Sequence, residues 1–131
     1  MIRMVLTTLV MLAAAVPGAA QALEDDEIGV LRLFDEFVSS GAAASQCAHP
    51  DDYAAARFLS NFQWVSAHAT REIRRQLPQS SNDEVSAELA LRSKTIKDRT
   101  HALVRSEGCE ADQVQDLVKR FVIQAAWQRE G

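Results

Sequence analysis

The residues able to do chemistry in this chain fall into three groups. The first is a pair of thiols, Cys47 and Cys109, the only two cysteines present. In an oxidising compartment an even pair reads first as a disulfide. The alternatives are two free thiols, or a metal site that adds His49. Cys-x-His alone, however, lacks the ligand count that zinc requires. The second group is His68 with Glu72, four positions apart. That spacing puts them on one helical face, where a carboxylate can orient an imidazole as a general base requires. No activated nucleophile and no glycine loop for phosphate accompanies them. No residue is therefore assigned a catalytic role, and neither a cofactor nor a metal is expected.

The third group is arginine-rich. Tyr53, Arg57, Trp64, His68, Arg71 and Arg75 recur at helical steps. At about 100° per residue they lie opposite or oblique to an apolar stripe in the same segment. Tryptophan and arginine are the residues that most often anchor interfaces, and arginine suits carboxylate partners. This face is the candidate for docking an anionic protein or peptide segment, and the alternative is a solvated face with paired arginines. Arg92 and Arg99 are candidates of another kind, because they stand on the apolar line Val85, Leu89, Arg92, Ile96, Arg99, Leu103. Turned inward they need a counter-charge, which an anionic ligand in a bundle core can supply. Turned along the surface they bury their stems and keep their charge in water.

Four segments with helical periodicity must position these groups. The first runs from about Asp25 to Val38, buries Ile28, Leu31, Phe34, Phe37 and Val38, and is expected to end at Ser39-Ser40-Gly41. Gly41 to Gln46 fits either a loop or a short helical turn. The second opens with Pro50 at its first position and Asp51-Asp52 behind it. Ala54, Phe58, Phe62, Val65, Ala69, Ile73 and Leu77 form its stripe, and Pro78 ends it. The third opens with Ser81-Asn82-Asp83-Glu84, which fits a capping box, and stops at Gly108. The fourth follows Cys109 and buries Val114, Leu117, Val118, Phe121, Val122 and Ala125. Ile123 and Trp127 lie away from that stripe, as core or as an exposed interface patch.

Four helices with short connections most simply form a small antiparallel four-helix bundle, an all-α fold. In up-down-up-down order the entrances to the second and fourth helices share one end. Cys47 precedes one entrance and Cys109 the other. The topology therefore brings the two thiols together, and in the chain-entropy model a staple closing such a loop stabilises by about 4 kcal/mol.

The N-terminus has the layout of an export signal: Arg3, an apolar run from Met4 to Val16, Pro17-Gly18, and the small-x-small triplet Ala20-Gln21-Ala22. The run falls short of the roughly 20 apolar residues that a membrane span needs. The expected organisation is a signal peptide over 1–22 and one helical domain over 23–131. No stable membrane anchor is expected, and the expected localisation is periplasmic. The chain carries 14 basic against 18 acidic side chains, a net charge of −4, which argues against a nucleic-acid partner. Over Leu103 to Trp127 the layout, with a cysteine immediately ahead of an amphipathic helix, loosely resembles the acid-activated periplasmic chaperones. Small immunity proteins against secreted toxins share the general plan. Those resemblances imply a non-enzymatic protein-binding role, of immunity, inhibitor or chaperone type; the alternative is a small-anion-binding bundle, with or without catalysis, using Arg92 and Arg99 in its core. N-terminal sequencing of the exported protein should begin at Leu23; a membrane-bound chain retaining Met1 would contradict the assignment.

Overall fold

The computed structural model describes residues 19–129, with side chains from Gly29 onward. It contains four helices: α1 (Ala19–Cys47), α2 (Asp52–Gln76), α3 (Asn82–Glu107) and α4 (Asp112–Ala126). Among the described residues there is no strand. The Met4–Val16 run and Pro17-Gly18, on which the export expectation rests, lie outside the described residues.

Three of the helix boundaries follow local chemistry. Asp51 caps α2, its carboxylate accepting the Ala54 N–H at 2.8 Å, so Pro50 sits ahead of the cap rather than in the first turn. Ser81 and Glu84 form the reciprocal capping box of α3: each side chain accepts from the other residue's backbone N–H. Gly108 closes α3 at φ +83°, a conformation that favours glycine.

α1 departs from expectation at both ends. It begins at Ala19, ahead of Asp25, and runs through Ser39-Ser40-Gly41 to Cys47. The hydroxyls of Ser39 and Ser40 bond back to carbonyls three residues earlier, which satisfies them within the helix without lengthening it. Gly41 is retained for space: a Cβ there would meet the Phe58 ring at 3.1 Å. Beyond it Ala42, Ala43 and Ala44 are buried, and alanine has the highest helix propensity. Termination comes at His49, which adopts a left-handed φ of 46° just before Pro50. There the N–H groups of Ala48 and His49 both reach the Ala44 carbonyl.

Ring contacts set the packing. Phe37, 1% exposed, lies 5.3 Å from Phe58 and 6.0 Å from Phe62, while Phe34 stacks on Phe62 at 5.5 Å. Position falls along α1 as it rises along α2, so the two helices are antiparallel. Phe58 also stacks on Phe121 at 4.4 Å, Ser40 bonds Gln124, and Phe37 meets Trp127 at 6.3 Å. Thus α4 runs antiparallel to α1 and parallel to α2. The α1–α2 pair is the middle of the bundle, with α3 against one side and α4 against the other, and α3 and α4 scarcely touch. Val85, Leu89 and Ile96 carry α3 onto the main cluster, and Thr100, not an aliphatic residue, is buried one turn beyond Ile96.

Cys47 and Cys109 form a disulfide with Cα atoms 5.5 Å apart. It joins the end of α1 to the α3–α4 connection, as the up-down-up-down order requires. Both sulfurs are thereby consumed, so the alternative metal set with His49 does not form. Replacing either cysteine by serine should lower stability by about 2–5 kcal/mol, read from urea unfolding without reductant; unchanged unfolding would mean that the staple contributes nothing.

Candidate functional site

The candidate side chains of α2 lie along the seam where α2 and α4 run side by side. The last carbonyls of α4 lack the donors of a further helical turn; that of Gln124 accepts the Trp127 N–H at 3.3 Å, and α2 supplies further donors. Asn61 Nδ2 donates to the carbonyls of Gln124 at 2.8 Å and Trp127 at 3.0 Å. Arg57 Nε donates to the Ala125 carbonyl at 3.2 Å, placing its charge at the negative end of the α4 dipole. Arg57 is therefore half-buried and committed, not free on a wet face. Gln124, itself buried, bonds Ser40 of α1, so α4 is tied by polar contacts on two sides.

Below Arg57 the seam becomes aromatic. Trp127 leaves the end of α4 and packs on the core against Phe37. Its ring also meets Trp64 edge-on at 5.5 Å. Trp64 is 39% exposed and is covered on its other side by the His68 ring at 4.0 Å. Arg71 Nη2 lies 3.1 Å from His68 Nδ1. Arg75 pairs with Glu72 at 2.9 Å. Tyr53, 73% exposed, stands at the head of the row with Arg57 over its ring at 6.0 Å. The six residues expected on one helical face do lie on one strip, bordered by the seam. They are not equivalent: Tyr53, Trp64 and Arg71 present free surface, Arg57 closes a helix end, and Arg75 is held by an acid.

The pairing of His68 with Glu72 does not form. Glu72 is buried and its oxygens take Arg75 and the Gln76 amide, leaving His68 to Trp64 and Arg71. No general base is assembled there. Among the described residues no cluster of three or more His, Cys, Asp or Glu is placed to hold a metal.

Arg92 and Arg99 border an open surface groove with Asp35, Glu88 and Leu91 and do not enter the core. Arg92 makes a two-pronged bond to Asp35 of α1, at 2.6 and 2.7 Å, with both side chains about one-third exposed. That bond raises the guanidinium pKa against the burial that lowers it. The reason for this placement is α1 itself, which offers a carboxylate at the level where α3 presents its arginine. An internal anion is not needed. Ile123 and Trp127 also separate: Ile123 is 69% exposed, whereas Trp127 is packed. Leu77, at the end of the expected α2 stripe, is exposed, because α2 ends at Gln76.

Sequence reasoning missed Asn61 and Gln124. Each stands three residues after a core phenylalanine, Phe58 and Phe121, and that position on an apolar face is the available signal. Asn61→Ala removes its two bonds to the α4 end and should cost about 1–3 kcal/mol in urea unfolding, while Arg71→Ala on the exposed strip should stay within about 0.5 kcal/mol. Equal losses would place the two residues in the same environment and contradict the seam. Comparison with protein-family models, with curated proteins and with solved structures finds no match for this chain.

Proposed function

We infer that this protein is an exported, non-enzymatic binding protein, of immunity, inhibitor or small-chaperone type, that docks an acidic protein or peptide segment through the outer strip of α2. The observation that carries the reading is Trp64. It is a large aromatic side chain at the surface, fixed between His68 and Trp127 and followed one turn beyond His68 by exposed Arg71. A ring already held in place loses little freedom on binding, which is the main cost that an interface anchor has to overcome. Tyr53 and Arg57 continue the strip upward, and Arg75 extends it downward. The chain as a whole carries net charge −4, so a cationic strip on it selects against most of its own surface and in favour of a separate acidic partner. The disulfide is in keeping with an oxidising compartment such as the periplasm.

The small-anion reading at Arg92 and Arg99 is not carried forward, because Asp35 already neutralises Arg92. The test is capture of partners from periplasmic extract on the tagged protein, followed by affinity measurement with the captured partner in purified form. Trp64→Ala or Arg71→Ala should leave the bundle folded and weaken that complex by about 2 kcal/mol or more for at least one of the two. The complex should also weaken as salt is raised, since exposed charge pairs are screened within about 10 Å at 0.1 M. A double variant that binds as tightly as the unaltered protein overturns the strip as the docking face.

A further inference from the structure

The α2–α4 seam changes character at Arg57. Above that residue the two helices diverge around a groove of about 370 Å³, lined chiefly by Pro50, Tyr53, Phe121, Val122 and Ala125. Its surface is apolar, and Val122 is left 61% exposed along it. Below Arg57 the seam continues as a second groove of about 290 Å³, lined by Ser60, Asn61, Trp127, Gln128 and Arg129, with Arg57 at the boundary. No carboxylate lines this second groove among the described residues. Two guanidinium groups do, and both are held. Arg57 is fixed through Nε to the Ala125 carbonyl, and Arg129 through Nη2 to Ser60 Oγ at 3.2 Å. One carboxylate, Asp51, lies at the far end of the apolar groove, with an oxygen engaged by the Ala54 N–H.

An apolar trough that ends on two fixed cations is complementary to one class of small molecule. Volumes of about 300–1,000 Å³ with a small number of placed polar groups are typical of small-ligand sites. The fork of a guanidinium matches a carboxylate in particular. The charge order along the seam fixes the direction. The head of the ligand belongs at the Arg57–Arg129 end, where the cations are, and its body runs toward Tyr53, with the acid end of the groove left to the hydrocarbon. We propose that the α2–α4 seam binds a small amphiphilic carboxylate, with its aliphatic or aromatic body against Tyr53, Phe121 and Val122 and its carboxylate on Arg57 and Arg129. The site adjoins the docking strip and shares Tyr53 and Arg57 with it, whereas Trp64 and Arg71 line neither groove.

The experiment is a ¹⁵N–¹H NMR titration of the oxidised protein with sodium octanoate below its micelle threshold. Parallel titrations use 1-octanol and octylammonium chloride. Octanoate should give saturable shifts at the amides of Tyr53, Arg57, Val122 and Ala126, and bind at least tenfold more tightly than either control. Arg57 also closes α4, so the charge is tested at Arg129. Arg129→Gln and Val122→Asp should each weaken octanoate at least fivefold while leaving the rest of the spectrum unchanged. Equal affinity for octanoate and octanol, saturation elsewhere on the bundle, or no saturable shift overturns the proposal. A blocked peptide ending in a free leucine carboxylate that binds tenfold more tightly than octanoate overturns it too, in favour of a chain terminus as the occupant. Octanoate binding is read without a partner and partner docking without octanoate, so failure of one reading is distinguishable from failure of the other.

Discussion

The stack of phenylalanine rings across three helices is the contact on which the remainder of the bundle depends. Phe58 is its hinge: it lies beneath Gly41, beside Phe37 and Phe62, and face-on to Phe121. Aromatic side chains bury more area than any other residue in a small core, and offset pairs add directional preference to that burial. A chain of this size has one modest core to distribute. Here that core is concentrated where α1, α2 and α4 converge, and α3 is attached by smaller side chains. The absence of a Cβ at Gly41 lets α1 and α2 approach closely enough for the Phe58 ring to reach α4.

Much of the bundle was legible because its signals are local or periodic. The Ser81–Glu84 box, the Gly108 stop, the phenylalanine spacing of α2 and the placement of two cysteines at like helix entrances all correspond to the structure. The continuation of α1 was not legible. Ser39-Ser40-Gly41 has the composition of a helix end, and what keeps it helical is tertiary: the Phe58 ring over Gly41 and the Gln124 side chain on Ser40. Periodicity likewise gave Trp64, Arg71 and Tyr53 a shared face, but it could not show that Arg57 would be drawn to the end of another helix. The Arg92–Asp35 pair was hidden for the same reason, since its partners are 57 positions apart.

Four of the five buried polar residues among the described residues follow a pattern that periodicity alone leaves ambiguous; the fifth, Thr100, bonds back to the Ile96 carbonyl. Ser40, Asn61, Glu72 and Gln124 are all buried, and each stands three positions after a core residue: Phe37, Phe58, Ala69 and Phe121. A polar group in such a place is costly unless it is bonded. Each of these is bonded, to a backbone carbonyl, a hydroxyl, an amide or an arginine. No buried side-chain polar atom lacks a partner among the described residues. Such groups favour one arrangement of helices over others of similar hydrophobic area, because a shifted α4 would leave Asn61 and Gln124 unpaired. Three of the four lie on the α1, α2 and α4 surfaces that meet at the seam, so register is specified most strictly there.

The separation of α3 from α4 has an energetic consequence. Each leans on the α1–α2 pair and hardly on the other. Free energies of change at sites that share no neighbours add, whereas those at sites in one network do not. Substitutions on the outer face of α3, around Leu91 and Arg99, and on the outer face of α4, around Val122 and Ile123, therefore form two nearly independent sets. One side of the molecule can drift in sequence or be redesigned without retuning the other, while α1 and α2 carry the correlations between them.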